Sequence, residues 1–554
     1  MNDLSADTRL SSGASPPVRS ATQLATRWPG LTSAALGAVA ALGFPPIHAW
    51  WIALPALALW ILHLRAAPNW RASLWRGWTF GWAHLTLANN WIATAFTYQA
   101  EMPAVLGWFA VPLLCIYLAA YPALAALIAH GGARGRGPLA YGALLAAAWI
   151  VTEWVRSWAF TGYPWPPLGL MLLGDWDTPG WALLLPWLGT YALSGLAVVL
   201  ATLLVAAALG QVRALAARLV RVAFVAVLIA MPMWLAAPVS ERSDIRYTLV
   251  QPLIPQEEMN DGTKFEEQFE RIARLTRSQD DAPRLVLWPE SAVPDYLEDG
   301  YPVRYYSRMT AGADPGYARR RIGSLIGKDS TLLTGVVNLD IGTRADGSQG
   351  AVTARNSVLA LDGAGRITAQ YAKAHLVPYG EYLPLEDYLG LIGLSRLTAG
   401  SIPYDPGPGP RTLDLGPQGR AAVQICYEIV FSGQVVDDSA PRPDYIFNPS
   451  NDGWFGAWGP PQHLAQARLR AIEEGLPVLR STTTGISAVI DARGVVLQAI
   501  GMGEADSVDG FVPQAHPPTL FARTGNLLPL IWAAILALLA LAIPRLLALR
   551  EPRS

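Results

Sequence analysis

Apolar positions run almost unbroken through roughly the first 240 residues, give way to short alternating patterns from about 241 to 520, and return in the last stretch. A helix needs about 20 apolar residues to cross the roughly 30 Å hydrocarbon core of a bilayer. On that length, spans are predicted at 30–44, 50–64, 77–97, 104–130, 138–158, 182–208, 217–237 and 526–546. The first two are short and flank Pro45-Pro46, which leaves tilting, local thinning of the bilayer or a re-entrant pair open. Between 241 and 520 the runs RYTLVQ, RLVLWPE, TLLTGVV, SVLALD, AAVQICYE, YIFNPS and ISAVID read as strands. EEQFERIARLTRSQ and HLAQARLRAIEE have helical periodicity with their charges on one face. The order is β–α–β repeated, with turns such as LDGAGR, which suggests a layered α/β domain long enough to bury its own core. The expected plan is a cytoplasmic tail (1–27), a bundle of seven transmembrane helices (28–240), a water-side catalytic domain (241–520), and an eighth helix with a tail (521–554).

Composition sharpens that plan. At 15% charged residues the chain lies well below the roughly 25% of soluble proteins, and 52% of it is hydrophobic. A net charge of -1 and the lack of a polybasic run give no reason to expect nucleic acid. Loop charges orient the spans, because cytoplasmic loops carry the excess of Lys and Arg. Arg9, Arg19 and Arg27 precede the first span; Arg65, Arg71 and Arg76 follow the second; Arg134 and Arg136 follow the fourth; Arg213, Arg218 and Arg221 follow the sixth; Arg545, Arg550 and Arg553 follow the last. The alternation works with eight spans, both termini in the cytoplasm and 241–520 outside. The first 27 residues lack the apolar core of a cleavable signal. Glu153 and Arg156 in TEWVRSW share one helix face and read as a structural anchor, with a role at a substrate entrance as the alternative.

Candidate chemistry comes from polar residues at strand ends, where a rigid scaffold can present side chains to a shared cleft. LVLWPES places Glu290 just after a strand that Pro289 terminates. QYAKAHLVPYGEYLP supplies Lys373, His375 and Glu381, and AAVQICYEIV supplies Cys426, Tyr427 and Glu428. Cys426 is the lone water-side cysteine; Cys115 lies in an apolar run, so no disulfide is expected. A thiol is only a few per cent ionised at neutral pH. A carboxylate can take its proton during attack on a carbonyl. An ammonium and the Tyr427 N–H can then meet the oxyanion. The seven histidines offer no obvious Cys–His pair. Taken singly, Glu290 reads as well as a surface residue, Lys373 as a solvated charge and Cys426 as an inert core thiol.

In combination, WPES, K-x-H-L-V-P-Y-G-E, C-Y-E and NPSNDGWFG resemble the nitrilase, or carbon–nitrogen hydrolase, superfamily. With the predicted spans around them, residues 30–546 resemble its membrane branch, the apolipoprotein N-acyltransferases. That resemblance implies a four-layer αββα domain on the outer face of the inner membrane. It implies transfer of a fatty acyl chain from a phospholipid, typically phosphatidylethanolamine, to the α-amino group of the diacylated N-terminal cysteine of an apolipoprotein. It implies no metal or organic cofactor, and a monomer is expected. By matching motif, Cys426 would be the nucleophile that forms a thioester, Glu290 the general base, and Lys373 the stabiliser of the tetrahedral intermediate. Glu381, Tyr427 and Glu428 would support them. Trp454 and Phe455 are candidate acyl-chain contacts, and Asn448 ties down a loop or touches substrate. The apolar run LGLIGLSRL, with Leu391 and Leu394, is a candidate lid; plain packing against the domain is the alternative. Two motifs depart from the family pattern: Met259-Asn260 stands where Lys-Trp is usual, and Thr483 where Asn is expected. A membrane-tethered amidase using water as acceptor shares the same triad, and a non-enzymatic transporter or lipid-binding scaffold is the weaker alternative.

Overall fold

A computed structural model describes residues 27–98, 103–210, 214–238, 240–259, 261–278, 280, 282–344, 347–384 and 402–548. The N-terminal part is helical. Four of its helices are long and apolar enough to cross a membrane: Leu106–Ala133, Pro138–Arg156, Thr190–Leu209 and Leu215–Trp234. Pro29–Ala41, Trp50–Arg65 and Leu527–Ala542 are apolar but shorter. The helix predicted over 77–97 instead covers Trp70–Ala88, because the Asn69 side chain accepts the Ala72 N–H at 2.9 Å and starts it earlier. The stretch predicted over 182–208 is broken at Gly189, whose φ of 73° no continuous helix allows, so its helix begins at Thr190. The bundle packs closely. A Cβ on Gly37 would lie 2.3 Å from the Phe80 carbonyl oxygen, so glycine is what lets Pro29–Ala41 meet Trp70–Ala88. Trp60 stacks on Phe80 at 4.1 Å and meets Trp149 edge-on.

Twelve strands follow: β1 (Arg242–Gln251), β2 (Leu285–Leu287), β3 (Thr331–Thr343), β4 (Gln349–Asp362), β5 (Ile367–Ala372), β6 (Thr412–Asp414), β7 (Arg420–Val423), β8 (Tyr445–Ser450), β9 (Val478–Thr482), β10 (Ser487–Ile490), β11 (Val496–Ile500) and β12 (Asp506–Pro513). They form two six-stranded sheets, ordered β12-β1-β2-β3-β4-β5 and β11-β10-β9-β8-β7-β6. The centre of each is parallel, through β1-β2-β3 and β7-β8-β9. The period-two alternation of a strand decides which layer each side chain enters. Leu285, Leu287, Leu333 and Val358 point between the sheets, against Val423, Phe447 and Leu479. Their neighbours Val286, Leu332 and Leu359 point outward, under Ile272 and Ile322 of the helices Phe265–Thr276 and Pro315–Ile326.

The second sheet is covered by the helix Gly459–Glu474, whose other side joins the bundle core: Ala465, Leu469 and Ile472 share one cluster with Leu168, Leu170 and Leu193. The layers are therefore helix, sheet, sheet, helix, with the last helix clamped against the membrane part. The charges of HLAQARLRAIEE do not face water. Arg468, Arg470, Glu473 and Glu474 are all buried. Arg468 donates to the carbonyls of Gly174, Asp175, Thr178 and Gly494 at 2.6–3.0 Å. Glu473 pairs with Arg470 at 2.9 Å and accepts the Thr190 N–H, one of the unpaired donors that open the helix Thr190–Leu209. Glu153 and Arg156 anchor the same junction. They pair at 3.4 Å, Glu153 accepts the Leu168 N–H and Arg156 donates to the Pro166 carbonyl, both at 2.9 Å. The loop so held carries Trp165, which donates to Gln462 at 2.8 Å.

Candidate active site

Three strand ends converge. Glu290 follows β2, Lys373 follows β5 and Cys426 follows β7. Close backbone approach makes the first placement possible: a Cβ on Gly335 in β3 would lie 2.6 Å from the Glu290 Cα. Lys373 Nζ lies 3.7 Å from Glu290 Oε1 and 2.9 Å from Glu381 Oε2. Asn356 of β4 donates one amide nitrogen to both acids, at 2.7 Å to Glu290 and 3.0 Å to Glu381. The Asn451 N–H completes Glu290 at 2.7 Å, and the Val377 N–H completes Glu381 at 2.8 Å. Cys426 is 5% exposed, Glu290 6% and Lys373 1%, so their charges act on one another with little solvent between them.

Cys426 opens a tight 3-10 turn, Cys426–Val430, with φ at 51°. A non-glycine residue in the left-handed region is uncommon and calls for support from its surroundings. Glu428 provides it. One of its oxygens accepts the Ile425 N–H at 2.7 Å; the other accepts the Tyr371 hydroxyl and the Ala374 N–H at 2.7 Å and the His375 N–H at 3.1 Å. It thus ties the cysteine turn to the segment that carries Lys373. Burial pushes the Glu428 carboxyl up to about 7, against the Tyr371 hydroxyl and the Ile425 N–H, which favour its charged form.

The electrostatics divide the roles. Burial works against the Lys373 ammonium, but Glu381 and then Glu290 outweigh it and raise its pKa. Burial also pushes the Cys426 thiol up, and Glu290 adds to this against the pull of Lys373. An ammonium beside a thiol would by itself favour the thiolate. In the folded site that ammonium is already engaged by two carboxylates, so the thiol keeps its proton at rest.

Tyr427 is buried, packs edge-on against Phe431 at 5.2 Å and reaches the Gly162 carbonyl of the bundle loop at 3.4 Å. Phe455 is buried at the junction, 4.7 Å from Trp91 and 5.9 Å from Trp165, while half-buried Trp454 meets Tyr98 edge-on at 5.9 Å. Asn448 is buried and donates to the Gln424 carbonyl at 2.6 Å. Both departures from the family pattern bear on Asn451: Thr483 donates to its side-chain oxygen at 2.8 Å, and Met259 Sδ lies 3.4 Å from its amide nitrogen. Leu391, Leu394 and Asn260 lie outside the described residues. Sequence reasoning missed Asn356, whose only signal is a polar residue in a strand next to the β-rich SVLALD. It also missed His463, which stands 3.1 Å from the Cys426 backbone carbonyl rather than its sulfur.

Two facing sheets with this strand-end cluster define a carbon–nitrogen hydrolase domain, and residues 249–508 match the model of that family, carbon-nitrogen hydrolase. Residues 36–203 match the apolipoprotein N-acyltransferase N-terminal domain. The apolipoprotein N-acyltransferase of Bradyrhizobium diazoefficiens is 33% identical over 551 residues, covering 94% of this chain and 95% of that protein. The enzyme of the same name from Rhodopseudomonas palustris is 31% identical over 533 residues, covering 91% and 93%. An amidase from Nesterenkonia sp. AN1 aligns with 52% of this chain and 96% of its own, at 17% identity and a TM-score of 0.31. The chain belongs to the apolipoprotein N-acyltransferase family.

Proposed function

We propose that the protein moves a fatty acyl chain from a phospholipid, phosphatidylethanolamine being the expected donor, to the α-amino group of a diacylglyceryl-cysteine at the N-terminus of a lipoprotein. The observation that carries this reading is the buried thiol of Cys426 beside the Glu290–Lys373–Glu381 cluster, on a turn whose Tyr427 touches the bundle loop. In the first half-reaction the sulfur attacks the ester carbonyl while Glu290 takes the thiol proton. Lys373 and the Tyr427 N–H meet the oxyanion. When the tetrahedral intermediate collapses, the C–O bond breaks and Glu290 returns the proton to the departing lysophospholipid alkoxide, leaving a thioester on Cys426. In the second, the amine attacks the thioester, Glu290 accepts the ammonium proton, the C–S bond breaks to release amide, and Glu290 passes that proton to the departing sulfur, which regenerates the thiol.

Both substrates are anchored in a bilayer, which explains why the turn is docked on the helices. We read all eight apolar stretches as spans, with 241–520 on the outer, periplasmic side of the inner membrane and both termini in the cytoplasm. The acceptor is tested by loading the enzyme with a fluorescent-acyl phosphatidylethanolamine and then adding a diacylated lipopeptide. The expected result is label on the peptide amine, with little free fatty acid before the peptide is added. Steady release of free fatty acid whether or not peptide is present would make the protein a hydrolase.

A further inference from the structure

Beneath the cysteine turn lies a buried polar group that the acyl-transfer scheme leaves idle. Arg480 of β9 and Asp452 have no exposed surface on their side chains and pair at 2.6 Å. The same guanidinium group donates to the Asn448 side-chain oxygen and lies 3.0 Å from His463 Nδ1. His463 Nε2 in turn lies 3.1 Å from the Cys426 carbonyl oxygen, and the Asn448 amide nitrogen lies 3.5 Å from it. Arg480 therefore holds both side chains that reach that carbonyl.

We propose that Arg480, paired with Asp452, fixes His463 and Asn448 on the Cys426 carbonyl and so aims the adjoining Tyr427 N–H at the oxyanion, which makes His463 a positioning residue for acyl transfer. The inference rests on reading Cys426 as the acyl-transfer nucleophile. It follows from peptide geometry. The Cys426 carbonyl and the Tyr427 N–H belong to one planar trans peptide, so they point in opposite directions. Pinning the oxygen on the His463 side turns the hydrogen to the other side. Donation to the carbonyl also polarises the peptide and strengthens its N–H as a donor.

The protonation pattern fits. A backbone carbonyl only accepts, so the His463 Nε2 that faces the Cys426 oxygen carries a proton. Burial and then the Arg480 charge lower the His463 pKa, which keeps the ring neutral. Asp452 Oδ1, 3.0 Å from the same Nδ1, also takes hydrogens from Arg480. A buried charged group of this kind is a weak route to stability alone, since apolar side chains of similar volume often do as well.

The test separates two reactions of one sulfur. Acylation by fluorescent-acyl phosphatidylethanolamine passes through an oxyanion; alkylation by iodoacetamide does not. His463→Phe in the full-length protein is expected to slow acylation of Cys426 roughly tenfold, short of the 10²–10³ lost when an oxyanion donor is removed outright. Alkylation should stay within about twofold of wild type. His463→Gln, which restores a donor, should recover much of the acylation rate. An equal fall in both rates, or unchanged acylation in His463→Phe, overturns the proposal. If His463→Phe lacks a cooperative thermal transition in detergent, Asn448→Ala decides: a fall of about threefold in the acylation-to-alkylation ratio supports the proposal and an unchanged ratio overturns it. Wild-type protein that forms no acyl-enzyme on Cys426 would instead overturn the functional reading beneath it.

Discussion

Cys426 combines two features that rarely meet in an inert core thiol: a left-handed backbone and a buried lysine held by two acids next to it. Its position was legible in the sequence, because an apolar strand ending in Cys-Tyr-Glu leaves the sulfur at a strand end. So were Glu290, behind the proline that stops β2, and Lys373. Their electrostatic balance was not, since it depends on how Glu381 folds back onto Lys373 and on Asn356 arriving from β4. The balance makes a prediction. With its pKa raised, the thiol at pH 7–8 carries less thiolate than a free cysteine, so iodoacetamide should alkylate Cys426 more slowly than it does a small thiol. Since the folded pKa lies above the model-thiol value, the rate should keep climbing beyond pH 9, where a free thiol levels off. A plateau reached near pH 7 would contradict the resting state described above.

At the scale of elements, the helix Gly459–Glu474 carries the lesson. Its periodicity was readable, but charges gathered on one helix face do not say what that face will meet. Burial of that face is imposed by the bundle, which lies about 290 residues away in sequence from its partner Arg468 and supplies the carbonyls of Gly174, Asp175 and Thr178. Local patterns cannot see a neighbour of that kind. An unmade buried hydrogen bond costs about 1–3 kcal/mol, and Arg468→Met leaves several carbonyls without their donor. Thermal unfolding in detergent should therefore show a loss of about 3 kcal/mol or more. Arg320→Ala removes an exposed pair with Asp314 on Pro315–Ile326 and should change stability by about 0.5 kcal/mol or less. Equal effects from the two substitutions would mean that the junction is not a clamp.

For the whole molecule, the chain places one chemistry at one end of a helical bundle. Pro138–Arg156 has 19 residues, about 28 Å at 1.5 Å per residue, close to the thickness of a hydrocarbon core. At its start, Arg65 donates to the Arg136 carbonyl at 3.1 Å and Arg134 to the Pro68 carbonyl at 2.5 Å, which gathers two arginine-bearing loops at one end. At its finish, Arg156 holds the Trp165 loop, which meets the helix Gly459–Glu474. The strand runs in the sequence anticipated the sheets. How the two parts dock was not legible, because Trp165 and Gln462 find their hydrogen-bond partners across the junction. The central claim is that a lipid acyl chain becomes bonded to Cys426. Its most direct measurement is mass spectrometry of the protein after incubation with phosphatidylethanolamine and no acceptor. The account predicts one acyl chain on the peptide containing Cys426, released by neutral hydroxylamine as a thioester is, and absent from Cys426→Ala. An acyl adduct that persists in Cys426→Ala, or that resists hydroxylamine on another residue, would contradict it.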